Sequence, residues 1–303
     1  MKNIIFISSI LLILIWGCSN STDEVVHTSA SFWAHHYNTA IDVRYGEDPL
    51  QRLDIYSQGQ WIGEPKYWLP DSISHPTLIF FHGGGWLYGK KESCTPDIIP
   101  YLQRGWNVVN IEYRHGKNTA PLAVDDAMCA ILWVADNADR FNINTENIVI
   151  SGESAGGHLA LISGLLNAIP ESHACYAGNK FNIKAVVNWF GITDIANIED
   201  YLRTNNPEEN YAGSWLGELA VDSISELYSP VKRVSSQAPA IISIHGLNDS
   251  IVPYQQAVDF HDLLGKTGIK NELVSLPNGK HLGFSEDQFQ EIYTEIFNFL
   301  DEL

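Results

Sequence analysis

Positive charge is scarce in this chain: 18 Lys and Arg stand against 36 Asp and Glu, a formal net charge of −18. Such acidity argues against nucleic acid and other anionic polymers as partners and otherwise serves solubility. No His or Cys cluster has the spacing of a metal site, and the adjacent pair His35-His36 cannot share one helix face. Neither a metal nor a cofactor is expected. Internal repeats and low-complexity tracts are absent. The prominent terminal apolar run, Ile4 through Trp16 after Lys2, is too short and too N-terminal for a stable spanning helix. It reads as an export signal.

That run ends in Ile15-Trp16-Gly17-Cys18, which resembles a bacterial lipobox. Trp16 departs from the small residue preferred there, so plain secretion stays open beside a lipid anchor at Cys18. With Ser19 next in the chain, a lipoprotein would be sorted to the outer membrane and would face periplasm or cell surface. The expected organisation is a signal peptide at 1–17, a polar tether at 18–38, and one domain at 39–303. With Cys18 lipidated, three of the four cysteines remain, enough for one disulfide at most. Cys129 sits in an apolar helical stretch and reads as a core thiol, which leaves a Cys94–Cys175 bridge possible.

The most informative stretch is Gly152-Glu153-Ser154-Ala155-Gly156, a G-x-S-x-G between two apolar runs. Strand, sharp turn and helix in that order lift a serine hydroxyl above a sheet edge, where it can act as a nucleophile. Upstream, His82-Gly83-Gly84-Gly85-Trp86 follows the run Thr77-Leu78-Ile79-Phe80-Phe81 and matches the HGGG-type element that donates backbone N–H groups to an oxyanion. Gly83 and Gly84, with Ala155 after the nucleophile, are the candidate donors. For the base, His281 lies in a loop after an apolar strand and before the last helix. Asp249 follows another strand, in the order Ser, Asp, His. Asp259 and Asp262 fall inside a helix and Asp194 precedes an insertion, so they are weaker candidates. His158, on the nucleophile helix, reads as a packing residue. Glu153, with Asp125 or Asp126, is expected to brace the elbow, without chemistry of its own.

Strand-like and helix-like segments alternate from residue 77 onward, which predicts an α/β fold with a mostly parallel sheet and helices on both faces. An antiparallel pair around Ile41-Val43-Tyr45 and Leu53-Ile55 opens it. A helix is expected over 120–141, starting at Pro121, and a last helix opens on the capping-box pair Ser285 and Gln288. Residues 191–237 are too long for a simple connection and read as a cap over the site, with Trp215, Tyr211 and Tyr228 as candidate walls. Trp61, Tyr67 and Trp68 form a second aromatic cluster, read as edge packing rather than a sugar platform.

With these motifs the chain resembles α/β-hydrolases of the hormone-sensitive-lipase-like kind, and among them the secreted bacterial esterases related to bifunctional feruloyl and acetyl-xylan esterases. Further matching positions are Leu53-Asp54-Ile55-Tyr56, Glu112-Tyr113-Arg114, His245-Gly246 and Gly279-Lys280-His281. The resemblance implies a serine carboxylesterase with Ser154, Asp249 and His281 as its triad. Its substrate would be a small-molecule or carbohydrate-linked ester, with Trp86 and Trp215 near the pocket. Two rival readings are an arylformamidase of the kynurenine-formamidase kind, whose His-Gly-Gly-x-Trp element also matches, and a non-catalytic hydrolase fold used for binding. Export argues against the first and the intact triad against the second.

Overall fold

A computed structural model describes residues 37–61, 68–70, 74–166, 175 and 181–303. The export signal, Cys18, the greater part of the tether, His35-His36 and Tyr67 lie outside these residues. Strand β1 (Tyr37–Arg44) already opens two residues before the expected domain start. It pairs antiparallel with β2 (Arg52–Trp61), as the alternation predicts. A bulge between Ala40 and Val43, with Asp42 at φ 55°, breaks that alternation and leaves Ile41 on the surface. Trp61 and Trp68 are backbone partners where β2 meets the short β3 (Trp68–Pro70).

The remaining strands are β4 (Thr77–Phe81), β5 (Asn107–Ile111), β6 (Ile148–Glu153), β7 (Ile183–Trp189), β8 (Ala240–Gly246) and β9 (Asn271–Leu276). Their order is β1-β2-β5-β4-β6-β7-β8-β9, with every pair from β5 to β9 parallel. Parallel pairing requires crossover helices, and these cover both faces. Ile79, Phe81, Val109, Ile111 and Ile150 point into one apolar layer, Leu78, Phe80, Val108 and Val149 into the other. This is why the central strands read as unbroken apolar runs.

On the first face lie α2 (Leu122–Asp136), α4 (Ala155–Leu165) and α8 (Gln255–Thr267); on the second lie α1 (Thr95–Gln103) and α9 (Glu286–Asp301). The helix expected over 120–141 is two helices, because α2 stops before Asn137 and α3 (Ala138–Phe141) restarts after it. There the Asn137 side chain caps the Trp133 carbonyl at 2.9 Å, competing with helical continuation. Ser285 and Gln288 form the reciprocal capping box of α9. On α8 the buried face is Gln256, Ala257, Phe260, His261 and Leu264. Gln256 is drawn inward because its amide binds Thr193 N–H at 2.8 Å and the Asp194 carbonyl at 3.1 Å.

The cysteines pair differently from the expected Cys94–Cys175 bridge. Cys129 and Cys175 form the disulfide, with Cα atoms 5.3 Å apart, and Cys94 is a buried thiol. Cys94 belongs to the apolar layer on the opposite face of the sheet, so it cannot reach Cys175. A bridge across 46 positions is worth about 4 kcal/mol in the loop-entropy limit and about 2–4 in practice. Cys129→Ala is therefore expected to lower the urea midpoint, and dithiothreitol should reproduce the loss in the parent. An unchanged midpoint in both would show that the bond does not stabilise the fold.

Candidate active site

Ser154 stands between β6 and α4 with φ 53° and ψ −117°, a conformation non-glycine residues rarely hold. Its N–H is fixed by the Trp189 carbonyl at 2.8 Å. The turn is tight enough that a Cβ at Gly156 would come within 2.1 Å of the Phe81 carbonyl oxygen, so only glycine lets α4 pack against the end of β4.

His281 comes from the loop after β9 and places Nε2 3.0 Å from Ser154 Oγ. Its Nδ1 lies 2.7 Å from Asp249 Oδ2, in the loop after β8. Asp249 Oδ1 accepts the N–H groups of Ile251 and Val252 at 2.8 and 2.9 Å. The three side chains singled out from the sequence therefore form one hydrogen-bonded chain. Burial alone would raise the Asp249 carboxyl, but hydrogen bonds from His245 and His281, the His281 charge and the Val252 N–H hold it well below the usual carboxylate range. The stability this contributes is present above the unfolded value, about 3.9, and is lost as pH falls through the lower folded value. His245 was missed as a site residue: its Nε2 donates to the Val252 carbonyl at 2.9 Å and sits 3.2 Å from Asp249 Oδ2. Only its position at the end of β8, four residues before Asp249, hints at this.

The competing carboxylates are elsewhere. Asp194 caps the cap helix α5 (Ile195–Asn205) by accepting the Asn197 N–H, and Asp259 is exposed on α8. Asp126 is tied to Arg114 and Gln51, while Glu153 faces the glycine loop.

In that loop His82 is stacked on Tyr113 with centroids 4.2 Å apart, and its Nε2 lies 3.2 Å from Glu112 Oε1. Glu112 is pulled down to about 2: burial would raise it, but hydrogen bonds from His115 and His82 outweigh that. Gly83 directs its N–H to Glu153 Oε1 at 3.3 Å. Gly84, at φ 119°, donates its N–H to no group among the described residues. Ala155 opens α4, where the first-turn amides have no intrahelical acceptor.

A cleft of about 770 Å³ opens over Ser154 and His281. Its walls include Gly83, Gly84, Tyr88, Lys117, Phe190, Tyr211, Ile251 and Leu282. Three helices of the cap, α5, α6 (Tyr211–Leu216) and α7 (Val221–Tyr228), lie between β7 and β8, and α6 supplies Tyr211. Trp86 and Trp215 do not line the cleft. Both are fully buried and stack on each other with centroids 4.4 Å apart, with His158 edge-on to Trp86 at 5.1 Å. They pin the cap to the glycine loop. His158 Nε2 donates to the Tyr228 carbonyl at 2.8 Å, and burial, partly offset by that bond, pushes its pKa down to about 4. Among the described residues no group of three or more His, Cys, Asp or Glu converges as metal ligands would, and no helix is long and apolar enough to cross a membrane.

Comparison with known proteins gives the same architecture. Esterase LipC of Mycobacterium tuberculosis is 31% identical over 232 residues, 73% of this chain and 54% of LipC. The chain spans about half the length of the curated relatives it matches. A truncated carbohydrate esterase from gut microbiota shares the fold with TM-score 0.73 and 24% identity, over 88% of this chain and 98% of that one. A bifunctional GH43-CE protein of Bacteroides eggerthii aligns with TM-score 0.70 and 26% identity, over 86% of this chain and 38% of that one. The family model BD-FAE matches residues 68–264, a span that holds Ser154 and Asp249 and stops short of His281. This chain belongs to the BD-FAE family and has the α/β-hydrolase fold.

Proposed function

We propose that the protein is a serine carboxylesterase that works through an acyl-enzyme on Ser154. The observation that carries this is the unbroken hydrogen-bond chain from Ser154 Oγ through His281 to Asp249, at the floor of an open cleft. Ser154 Oγ attacks the ester carbonyl while His281 Nε2 takes its proton, and Asp249 stabilises the imidazolium. The oxygen of the tetrahedral intermediate is received by backbone amides of the glycine loop and of Ala155. His281 then gives its proton to the departing alcohol. In the second half it deprotonates a water that attacks the acyl carbon and frees the acid and Ser154.

The substrate proposed is an ester carried on a carbohydrate, acetyl or feruloyl. The relative named as a carbohydrate esterase and the open cleft with exposed Tyr88 and Leu282 at its mouth support this. Turnover of p-nitrophenyl acetate tests the reaction class, and release of acetate or ferulate from acetylated xylan and feruloyl esters tests the substrate. No hydrolysis of any ester would leave a binding module. EDTA is expected to leave turnover unchanged, since each proton transfer has a side chain to carry it. Loss with EDTA and recovery with zinc or calcium would overturn the mechanism.

The segment Lys2 to Cys18 supports a second proposal, that the enzyme is exported and anchored through a lipidated Cys18. In a bacterial host, Cys18→Ala should move it from the membrane fraction to the soluble one. Equal fractionation of both forms would favour plain secretion.

A further inference from the structure

Glu153 is the last residue of β6 and borders the cleft immediately before the nucleophile. Strand register explains whom it meets: Phe81 of β4 is opposite Gly152 of β6, so the chain just beyond each strand end runs side by side. There Glu153 Oε1 accepts the Gly83 N–H at 3.3 Å, and the Cys94 thiol approaches it at 3.8 Å. The fit is close, since a Cβ at Gly83 would stand 3.1 Å from that same Oε1.

The loop is held from its other side as well. Glu112 holds the His82 ring, and Tyr113 donates its hydroxyl to the His82 carbonyl at 2.8 Å. Between these clamps the backbone turns at Gly84, whose amide is free among the described residues. A peptide amide donates one hydrogen, so Gly83 cannot serve both Glu153 and a substrate oxygen. A carboxylate near a developing oxyanion opposes it electrostatically, so the benefit of Glu153 has to come from geometry.

We propose that Glu153 is a positioning residue of the oxyanion hole: by occupying the Gly83 N–H it fixes the loop so that the Gly84 N–H, with that of Ala155, receives the substrate oxygen. Burial and the charge of Glu153 push the nearby Asp97 carboxyl up to about 7. The inference rests on the esterase reading; of the two candidate donors in the loop it keeps Gly84 and removes Gly83.

The test compares Glu153→Ala, Glu153→Asp and Glu153→Gln with the parent. The readouts are kcat and KM for p-nitrophenyl acetate and inhibition by a trifluoromethyl ketone. In that inhibitor Ser154 Oγ bonds the carbonyl carbon, the C=O π pair moves to oxygen, and the serine proton goes to His281. The resulting anion probes the same amides as the transition state. Misplacing a donor by about 1 Å costs up to about 10²-fold in rate. Glu153→Ala and Glu153→Asp, which shortens the reach while keeping the charge, should therefore lose about 10- to 100-fold in kcat with KM within about twofold. Ketone affinity should fall in parallel. Glu153→Gln, which keeps an acceptor for Gly83, should stay within about threefold of the parent. Parental kcat in Glu153→Asp, or a loss in Glu153→Gln as deep as in Glu153→Ala, would overturn the proposal. Failure of the esterase reading would show separately, as a parent that turns over no ester.

Discussion

Ser154→Ala is expected to lower kcat for p-nitrophenyl acetate by on the order of 10⁴-fold or more while leaving the unfolding midpoint nearly unchanged. The loss is large because the remaining groups cannot form the acyl-enzyme: His281 keeps its position but has no hydroxyl to deprotonate. The stability change is small because Ser154 Oγ has His281 Nε2 as its hydrogen-bond partner, on the wall of an open cleft. Alanine inherits the same φ of 53°, so backbone strain at the turn is unaltered. The variant should also fail to release a burst of p-nitrophenol. Activity within about tenfold of the parent would remove Ser154 as the nucleophile, and with it the mechanism built on the elbow.

The elbow was legible in the sequence because its requirements are local. A sharp turn between strand and helix demands glycines at fixed offsets, and the apolar runs on either side identify the two elements. Asp249 and His281 were legible for a related reason, since parallel pairing places the ends of β6, β8 and β9 along one edge of the sheet. What was not legible depends on which side of the sheet a residue faces. Along the chain Cys129 reads as a core thiol and Cys94 as the bridge candidate, yet the sheet separates them, and only Cys129 shares a layer with Cys175. Trp86 follows the glycines and suggests a pocket wall, but at φ 59° its backbone turns the indole beneath the loop, onto Trp215. Glu153 reads from the sequence as a brace of the elbow, but its partner Gly83 stands at the end of another strand, and no spacing rule encodes that contact. His245 lies only four positions before Asp249, yet that spacing does not reveal that the strand end turns its ring toward the carboxylate.

Asp249→Asn is expected to lower kcat by about 10²- to 10⁴-fold, whereas Asp259→Asn and Asp194→Asn should stay within about threefold of the parent. The reason lies in how Asp249 is held. Its Oδ1 accepts two backbone N–H groups, from Ile251 and Val252, so an asparagine must keep its carbonyl oxygen there. The amide nitrogen is then forced into the place of Oδ2, 2.7 Å from His281 Nδ1. Facing a donor, Nδ1 must give up its proton, and the ring proton moves to Nε2. That is the nitrogen which has to accept the proton of Ser154, so the variant holds His281 in the inactive tautomer with its packing intact. Asp259 is hydrogen-bonded to Gln255 on the exposed face of α8 and has no path to His281. Asp194 accepts the Asn197 N–H as a helix cap, a place asparagine fills almost as well. Steady-state kinetics of the three variants, with circular dichroism to confirm folding, decides the assignment. Near-parental kcat in Asp249→Asn together with a loss in Asp194→Asn would transfer the acid to the edge of the cap, and the hydrogen-bond chain after β8 would then be structural.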